Sequence, residues 1–255
     1  MKEYIVSRTG AALRFHDLPG EGTPILFVHG LGCASSSDYP QVAAQPQLNS
    51  HRRILVDLLG AGFSDKPEDF GYTADDHAET LAELVEGLGI QRFVLFGHSL
   101  GGAVAITLVV KSKKQVDRLI LSEANLDASG EGSTSKTIAG FELQEFLTNG
   151  FRELIRSSRE EGNGTWAASL SLWLPKAAYR LSRCAAENRR PSWRDMLYSL
   201  DCPRTFIFGE RSLPDTDTEA LAAHGIRIEI VRGAGHSMAW ENPAGLAQAI
   251  QAGMQ

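Results

Sequence analysis

Along the chain, short apolar runs alternate with stretches of helical periodicity. The runs are Tyr4 to Ser7, Ala11 to His16, Ile25 to Val28, Arg53 to Asp57, Phe93 to Phe96, Leu119 to Ser122, Arg204 to Phe208 and Ile226 to Val231. Runs this short, separated by helical text, predict an α/β fold with a mostly parallel eight-stranded sheet flanked by helices. The first two runs flank Thr9-Gly10 and predict an antiparallel hairpin at a sheet edge, which makes the sheet mixed. Between Asp57 and Phe93, residues Ala78, Leu81, Val85 and Leu88 fall on one helical face. Thr73 is placed to cap that crossover helix and Gly89 to stop it.

The alternation breaks after Ser122. A polar, glycine-rich stretch, D-A-S-G-E-G-S-T-S, leads into helical text from about Thr137 to Ser158 and again from about Trp166 to Glu187. This predicts a helical cap over 127–195, inserted into an α/β core formed by 1–126 and 196–255. Its aromatic residues Phe141, Phe146, Phe151, Trp166, Trp173, Tyr179 and Trp193 are expected to pack the cap onto the sheet, with one or two lining a pocket. Residues 93–110 carry no formal charge and reach the length of a membrane span. Gly97, Gly101 and Gly102 around His98 and Ser99 interrupt that segment, so it reads as a buried strand, a turn and a buried helix.

The 255 residues are 43% hydrophobic, 22% charged and 8% aromatic, the balance of a globular protein. A net charge of -6 offers no basic field for nucleic acid or an anionic membrane, so a small molecule is the expected partner. Cys33, Cys184 and Cys202 stand far apart without a C-x-x-C pair, which fits reduced thiols in a cytoplasm better than a disulfide framework or a zinc site. Lys2, Glu3 and Arg8 precede any apolar stretch long enough for a secretory leader, so export is not expected. There is no H-E-x-x-H, no phosphate-binding G-x-x-x-x-G-K-[ST] and no dinucleotide G-x-G-x-x-G after a first strand. Neither a cofactor nor a metal is expected.

The strongest chemical signal is Gly97-His98-Ser99-Leu100-Gly101-Gly102, set between the strand R-F-V-L-F and the helical A-V-A-I-T-L-V-V. A sharp strand-to-helix turn strains the central residue and needs glycine two places to either side, where a Cβ would collide with neighbouring backbone. Ser99 is thus predicted to project above the sheet edge, beside the unpaired amides of a helix start. His29-Gly30-Leu31-Gly32 follows the strand P-I-L-F-V, and Asp57-Leu58-Leu59-Gly60-Ala61-Gly62-Phe63-Ser64 forms a glycine-bearing turn further on.

With these motifs the chain resembles the α/β-hydrolase superfamily, over nearly its whole length. The resemblance implies that Ser99 is the nucleophile, and that the backbone amides of Leu100 and of Leu31 form the oxyanion hole. It assigns His29 and Asp57 to loop architecture rather than chemistry. Serine at the elbow also separates the chain from the dehalogenase and epoxide hydrolase branches, which carry aspartate there.

A serine hydroxyl needs a neighbouring base, and an imidazole that later protonates the leaving group serves both steps. His236 lies in Gly233-Ala234-Gly235-His236 after the last strand, and the stretch to Glu241-Asn242-Pro243 matches the family's G-H-x-x-x-x-E-x-P. Asn242 is predicted to cap the helix that Pro243 begins. His98 is expected to point away from the site, and His16, His51, His77 and His224 lack a supporting context. The third member should be a carboxylate that orients the imidazole. The family's usual position, three residues after a glycine following the cap, holds Ser212 in Gly209-Glu210-Arg211-Ser212. A minority arrangement of the family points instead to Glu123, at the end of the strand before the cap, with Asp215, Asp217 and Glu210 as alternatives. The expected activity is a serine hydrolase cleaving a carboxylic ester through an acyl-enzyme on Ser99. Thioester, lactone, amide or carbon-carbon bond hydrolysis, a cofactor-free haloperoxidase side reaction and a non-catalytic ligand-binding role are the alternatives.

Overall fold

The computed structural model describes residues 1–112 and 116–255. Eight strands form one sheet: β1 (Lys2–Ile5), β2 (Ala12–Leu18), β3 (Gly22–Val28), β4 (His51–Val56), β5 (Phe93–His98), β6 (Val116–Ser122), β7 (Arg204–Gly209) and β8 (Arg227–Val231). Their order is β1-β2-β4-β3-β5-β6-β7-β8. The β1–β2 and β2–β4 pairs are antiparallel and all the others parallel, so the sheet is mixed as the opening hairpin predicts. β1 begins and ends two residues earlier than the apolar run suggests. The amides of Thr9 and Gly10 both donate to the Val6 carbonyl, which starts the turn there, while the Val6 amide donates to the Ala11 carbonyl.

Both sheet faces are covered, which is why the central strands read as unbroken apolar runs rather than alternating ones. Leu26 and Val28 face one core and Ile25 and Phe27 the other. The crossover helix spans Ala74–Gly87, with a capping box in which Thr73 Oγ1 accepts from the Asp76 amide while Asp76 accepts from the Thr73 amide. Gly89 has φ +66° with open space around it, so its freedom from a Cβ serves the backbone conformation alone. The segment that imitates a membrane span divides into β5, a turn at Ser99 and the helix Leu100–Lys111, almost all of which is buried. Among the described residues no helix is long and apolar enough to cross a membrane.

Between β6 and β7 the described residues contain only helices and turns. Helices run over Thr134–Ala139, Phe151–Glu160, Gly164–Leu170, Pro175–Ala186 and Trp193–Tyr198. The first stretch of helical text is thus interrupted: the Gly140 amide closes the first helix by bonding back to Lys136 and Thr137, and a π-helical turn over Phe146–Gly150 precedes the next. The final helix passes the expected limit at residue 195, because Ser192 and Asp195 form a capping box that starts a new helix there.

Parallel pairing decides where chemistry can gather. β3, β5, β6, β7 and β8 all end at one edge of the sheet, and the loops that follow them carry Leu31, Ser99, Glu123, Ser212 and His236.

Candidate active site

Ser99 separates the end of β5 from the first residue of the helix Leu100–Lys111 and adopts φ 51°, ψ −126°, outside the regions open to most side chains. Its backbone is fixed on both sides. The Ser99 amide donates to the Ser122 carbonyl at 3.0 Å, while its own carbonyl accepts from Gly102 at 2.9 Å and Asn125 at 3.2 Å. The glycines around it fill spaces that admit nothing larger. A Cβ on Gly97 would lie 2.8 Å from the Gly101 carbonyl oxygen, and one on Gly101 would lie 2.3 Å from that of His29. The strain at Ser99 is therefore held by contacts that leave the chain no other path.

Glu123, the first residue after β6, is also at positive φ, 40°. Its amide pairs with the Ile207 carbonyl at 3.0 Å, which ties it to β7. One carboxylate oxygen accepts from the Gly209 amide at 2.9 Å and the other lies 2.7 Å from His236 Nδ1. Ser212 also lies beside this carboxylate. Burial works to raise the pKa of Glu123, but the hydrogen bonds from His236, Ser212 and Gly209 prevail and hold it below the usual glutamate value. Because a carboxylate only accepts, Nδ1 of His236 carries a proton and Nε2 of the neutral ring is left free to take one.

The loop bearing His236 is itself clamped. The Gly235 amide donates to Glu241 at 2.6 Å, Glu241 pairs with Arg211, and the Arg211 amide donates to the Ala234 carbonyl at 2.9 Å. Asn242 caps the helix Pro243–Gly253 as expected, accepting from the Gly245 amide at 2.8 Å. The imidazole is 55% exposed, whereas Glu123 is only 11% exposed, so the pair presents the imidazole toward open space over a buried carboxylate.

The other candidate acids are occupied elsewhere. Asp217 pairs with Arg194 at 2.9 Å, Asp215 accepts from the Asp217 amide at 2.7 Å, and Glu210 accepts from the Gly233 amide at 2.8 Å. None of them bonds His236 among the described residues. His98 turns its Nδ1 to the Ser122 carbonyl at 3.1 Å, beneath the His236 ring at 4.7 Å between centroids.

Leu31 and Leu100 flank Ser99, and among the described residues neither amide is bound by another backbone carbonyl. The Leu31 loop is held from both sides. His29 Nε2 accepts from the Leu58 amide at 3.0 Å, its Nδ1 lies 2.9 Å from the Gly30 carbonyl, and Trp166 Nε1 donates to the Leu31 carbonyl at 2.9 Å. Asp57 accepts from the Ser36 and Phe63 amides, both at 2.9 Å, an architectural role. A cavity of about 700 Å³ is lined by Leu31, Ser99, Leu100, Glu123, Trp166 and His236 together. All five residues singled out from sequence thus meet at one opening. Ser99 and His236 share that cavity without a hydrogen bond between them among the described residues.

A model of the α/β-hydrolase fold matches residues 23–174, more than half of the chain and including β3, the Asp57 turn, the elbow and Glu123. The chain belongs to the α/β-hydrolase family. Over 116 residues, 45% of this chain and 42% of the relative, it is 31% identical to 2-hydroxy-6-oxo-2,4-heptadienoate hydrolase of Pseudomonas putida. Over 102 residues, 40% of the chain and 35% of the relative, it is 32% identical to haloalkane dehalogenase 2 of Mycobacterium tuberculosis. The match spans less than half the length of these curated relatives. Among solved structures, a thermophilic esterase from Thermogutta terrifontis superposes with a TM-score of 0.78 at 25% identity, over 99% of this chain and 97% of that one.

Two parts of the candidate site escape sequence reasoning. Ser212 is visible only as a departure from the family's acid position, and in the structure it lies beside Glu123 and helps to lower that carboxylate's pKa. Trp166 is one aromatic among many in the helical segment, and only packing brings its indole over Gly32, where a Cβ would lie 2.5 Å from the ring.

The histidines set a pH limit on stability. His98 and His77 are each brought down to about 3, by burial first and then by the nearby charges of His236 and His29 respectively. The unfolded chain binds those protons below pH 6.5 and the folded one does not, so this stability is complete above 6.5 and is lost as pH falls toward 3. Asp38, raised to about 6 by burial, acts in the opposite sense and offsets part of the loss. The expected net loss between pH 7 and pH 4 is on the order of 3 kcal/mol. Urea unfolding at the two pH values measures it, and equal midpoints would contradict it.

Proposed function

We propose that this α/β-hydrolase is a serine esterase that cleaves a carboxylic ester through an acyl-enzyme on Ser99. The observation that carries this reading is the 2.7 Å contact between His236 Nδ1 and Glu123, in the cavity that Ser99 enters from a strained elbow. In the proposed reaction Nε2 of His236 takes the Ser99 proton as the oxygen attacks the ester carbonyl. The negative charge that forms on the carbonyl oxygen is met by the amides of Leu31 and Leu100. Each such donor is worth roughly 100- to 1000-fold in rate. The protonated imidazole, stabilised by Glu123, then gives its proton to the departing alkoxide. Water repeats the sequence to release the acid and restore Ser99.

The resemblance to an esterase over nearly the full length of both chains supports the ester reading more than partial matches to relatives of other activities do. Residues 127–195 serve in this proposal as a cap over the reacting centre, with Trp166 tying it to the oxyanion loop. A series of 4-nitrophenyl esters of increasing acyl length tests the reading. A burst of nitrophenol equal to the enzyme concentration, followed by slower turnover, is expected for at least the short acyl groups. Absence of turnover across the series contradicts it.

A further inference from the structure

Four hydroxyls in the lining of the catalytic cavity make a wall of acceptors, while the side chains of Asn125, Thr134, Asn163 and Ser237, which also line it, can donate. Ser133, Thr137, Ser157 and Ser158 line it, and each hydroxyl donates to a backbone carbonyl, at 2.7, 3.2, 3.2 and 2.7 Å respectively. A carbonyl cannot donate in return, so the direction of these bonds is fixed. Each hydroxyl has only one proton, and what remains for a ligand is a lone pair. The charged residues agree with the hydroxyls. Glu123 and Glu161 line the cavity, and no lysine or arginine does among the described residues. Glu161 is exposed and takes part in no ion pair among those residues. Glu123 and Glu161 thus give the opening negative charge with no lysine or arginine among the described lining residues to balance it.

We propose that the cavity selects esters whose non-reacting end is a hydrogen-bond donor carrying no negative charge, an ammonium above all, and that Glu161 at the rim enforces the exclusion of carboxylates. This rests on the esterase reading and narrows it. A carboxylate-bearing substrate, such as the dienoate in the name of the Pseudomonas putida relative, would enter a field of its own sign and meet a wall of acceptors. An ammonium group meets both favourably.

The test uses three 4-nitrophenyl esters matched in length: heptanoyl, 6-ammoniohexanoyl and 6-carboxyhexanoyl. At low ionic strength kcat/KM for the ammonium ester is expected to exceed that for the carboxylate ester by about 10-fold or more, and the ratio should shrink to about 2- to 3-fold in 0.5 M salt. In Glu161→Lys the low-salt ratio is expected to fall by about 3- to 10-fold, with the change in KM rather than kcat and an unaltered unfolding midpoint. Hydrolysis of the carboxylate ester as fast as the ammonium ester, while the heptanoyl ester is turned over in a Ser99-dependent way, overturns the charge selection and leaves the esterase reading intact. An unchanged ratio in Glu161→Lys overturns the role of that residue. Failure to cleave any of the three esters overturns the esterase reading on which the proposal rests.

Discussion

Replacing Ser99 with alanine is expected to lower ester turnover by about 10⁶-fold, leaving a residual rate roughly 10³- to 10⁴-fold above that of the enzyme-free buffer. The size follows from the division of labour in the site. Without the hydroxyl, His236 has no oxygen to activate and only the amides of Leu31 and Leu100 remain to bind a transition state formed by water. The fold is expected to tolerate the change, because the bonds that hold position 99 at φ 51° are made by backbone groups that alanine retains. The circular dichroism spectrum and unfolding midpoint should therefore match the parent's while the rate collapses. Residual turnover above about 1% of the parent rate would show that the chemistry proceeds elsewhere.

Glu123→Gln should cost about 10⁴-fold in kcat, with little change in KM. The amide is nearly isosteric, and its oxygen can still accept from Gly209 and Ser212. Its NH₂ group must then face His236 Nδ1, which forces that nitrogen to become the acceptor and moves the ring proton to Nε2. A ring protonated at Nε2 cannot receive the Ser99 proton. Stability should change little, since Glu123 loses a charge stabilised by three hydrogen bonds but no longer keeps a buried carboxylate desolvated. Asp215→Asn and Asp217→Asn serve as comparisons, and both are expected to keep most of the activity. The reverse pattern would move the acid into the loop after β7.

The strands were legible because the covering helices on both sheet faces impose continuous apolar runs, and a run such as Phe93–Phe96 has no other stable use. Helix limits between β6 and β7 were less legible. The break at Gly140 and the π-helical turn over Phe146–Gly150 depend on which aromatic rings pack beneath them, a contact that period alone does not encode. In the site, Ser99 stood out because the glycines of its motif answer a local steric need, and His236 because its stretch matches the family's pattern. The acid could not be fixed in that way. Glu123 reaches His236 across 113 residues through the β6–β7 register and the amide of Gly209, and neither leaves a mark near residue 123 in the sequence. The acceptor wall was invisible for a related reason: a serine in a helical segment has no evident direction until the carbonyl it bonds is known.

The proposed chemistry depends on Ser99 being a hydroxyl made nucleophilic by the imidazole that Glu123 orients. Labelling with a fluorophosphonate, followed by peptide mapping, tests this most directly, because the reagent bonds only to an activated oxygen and needs no knowledge of the natural ester. The predicted result is one adduct per chain, on Ser99, formed rapidly in the parent protein and far more slowly in His236→Asn and Glu123→Gln. Labelling at another residue, or an equal rate in the three proteins, would contradict it.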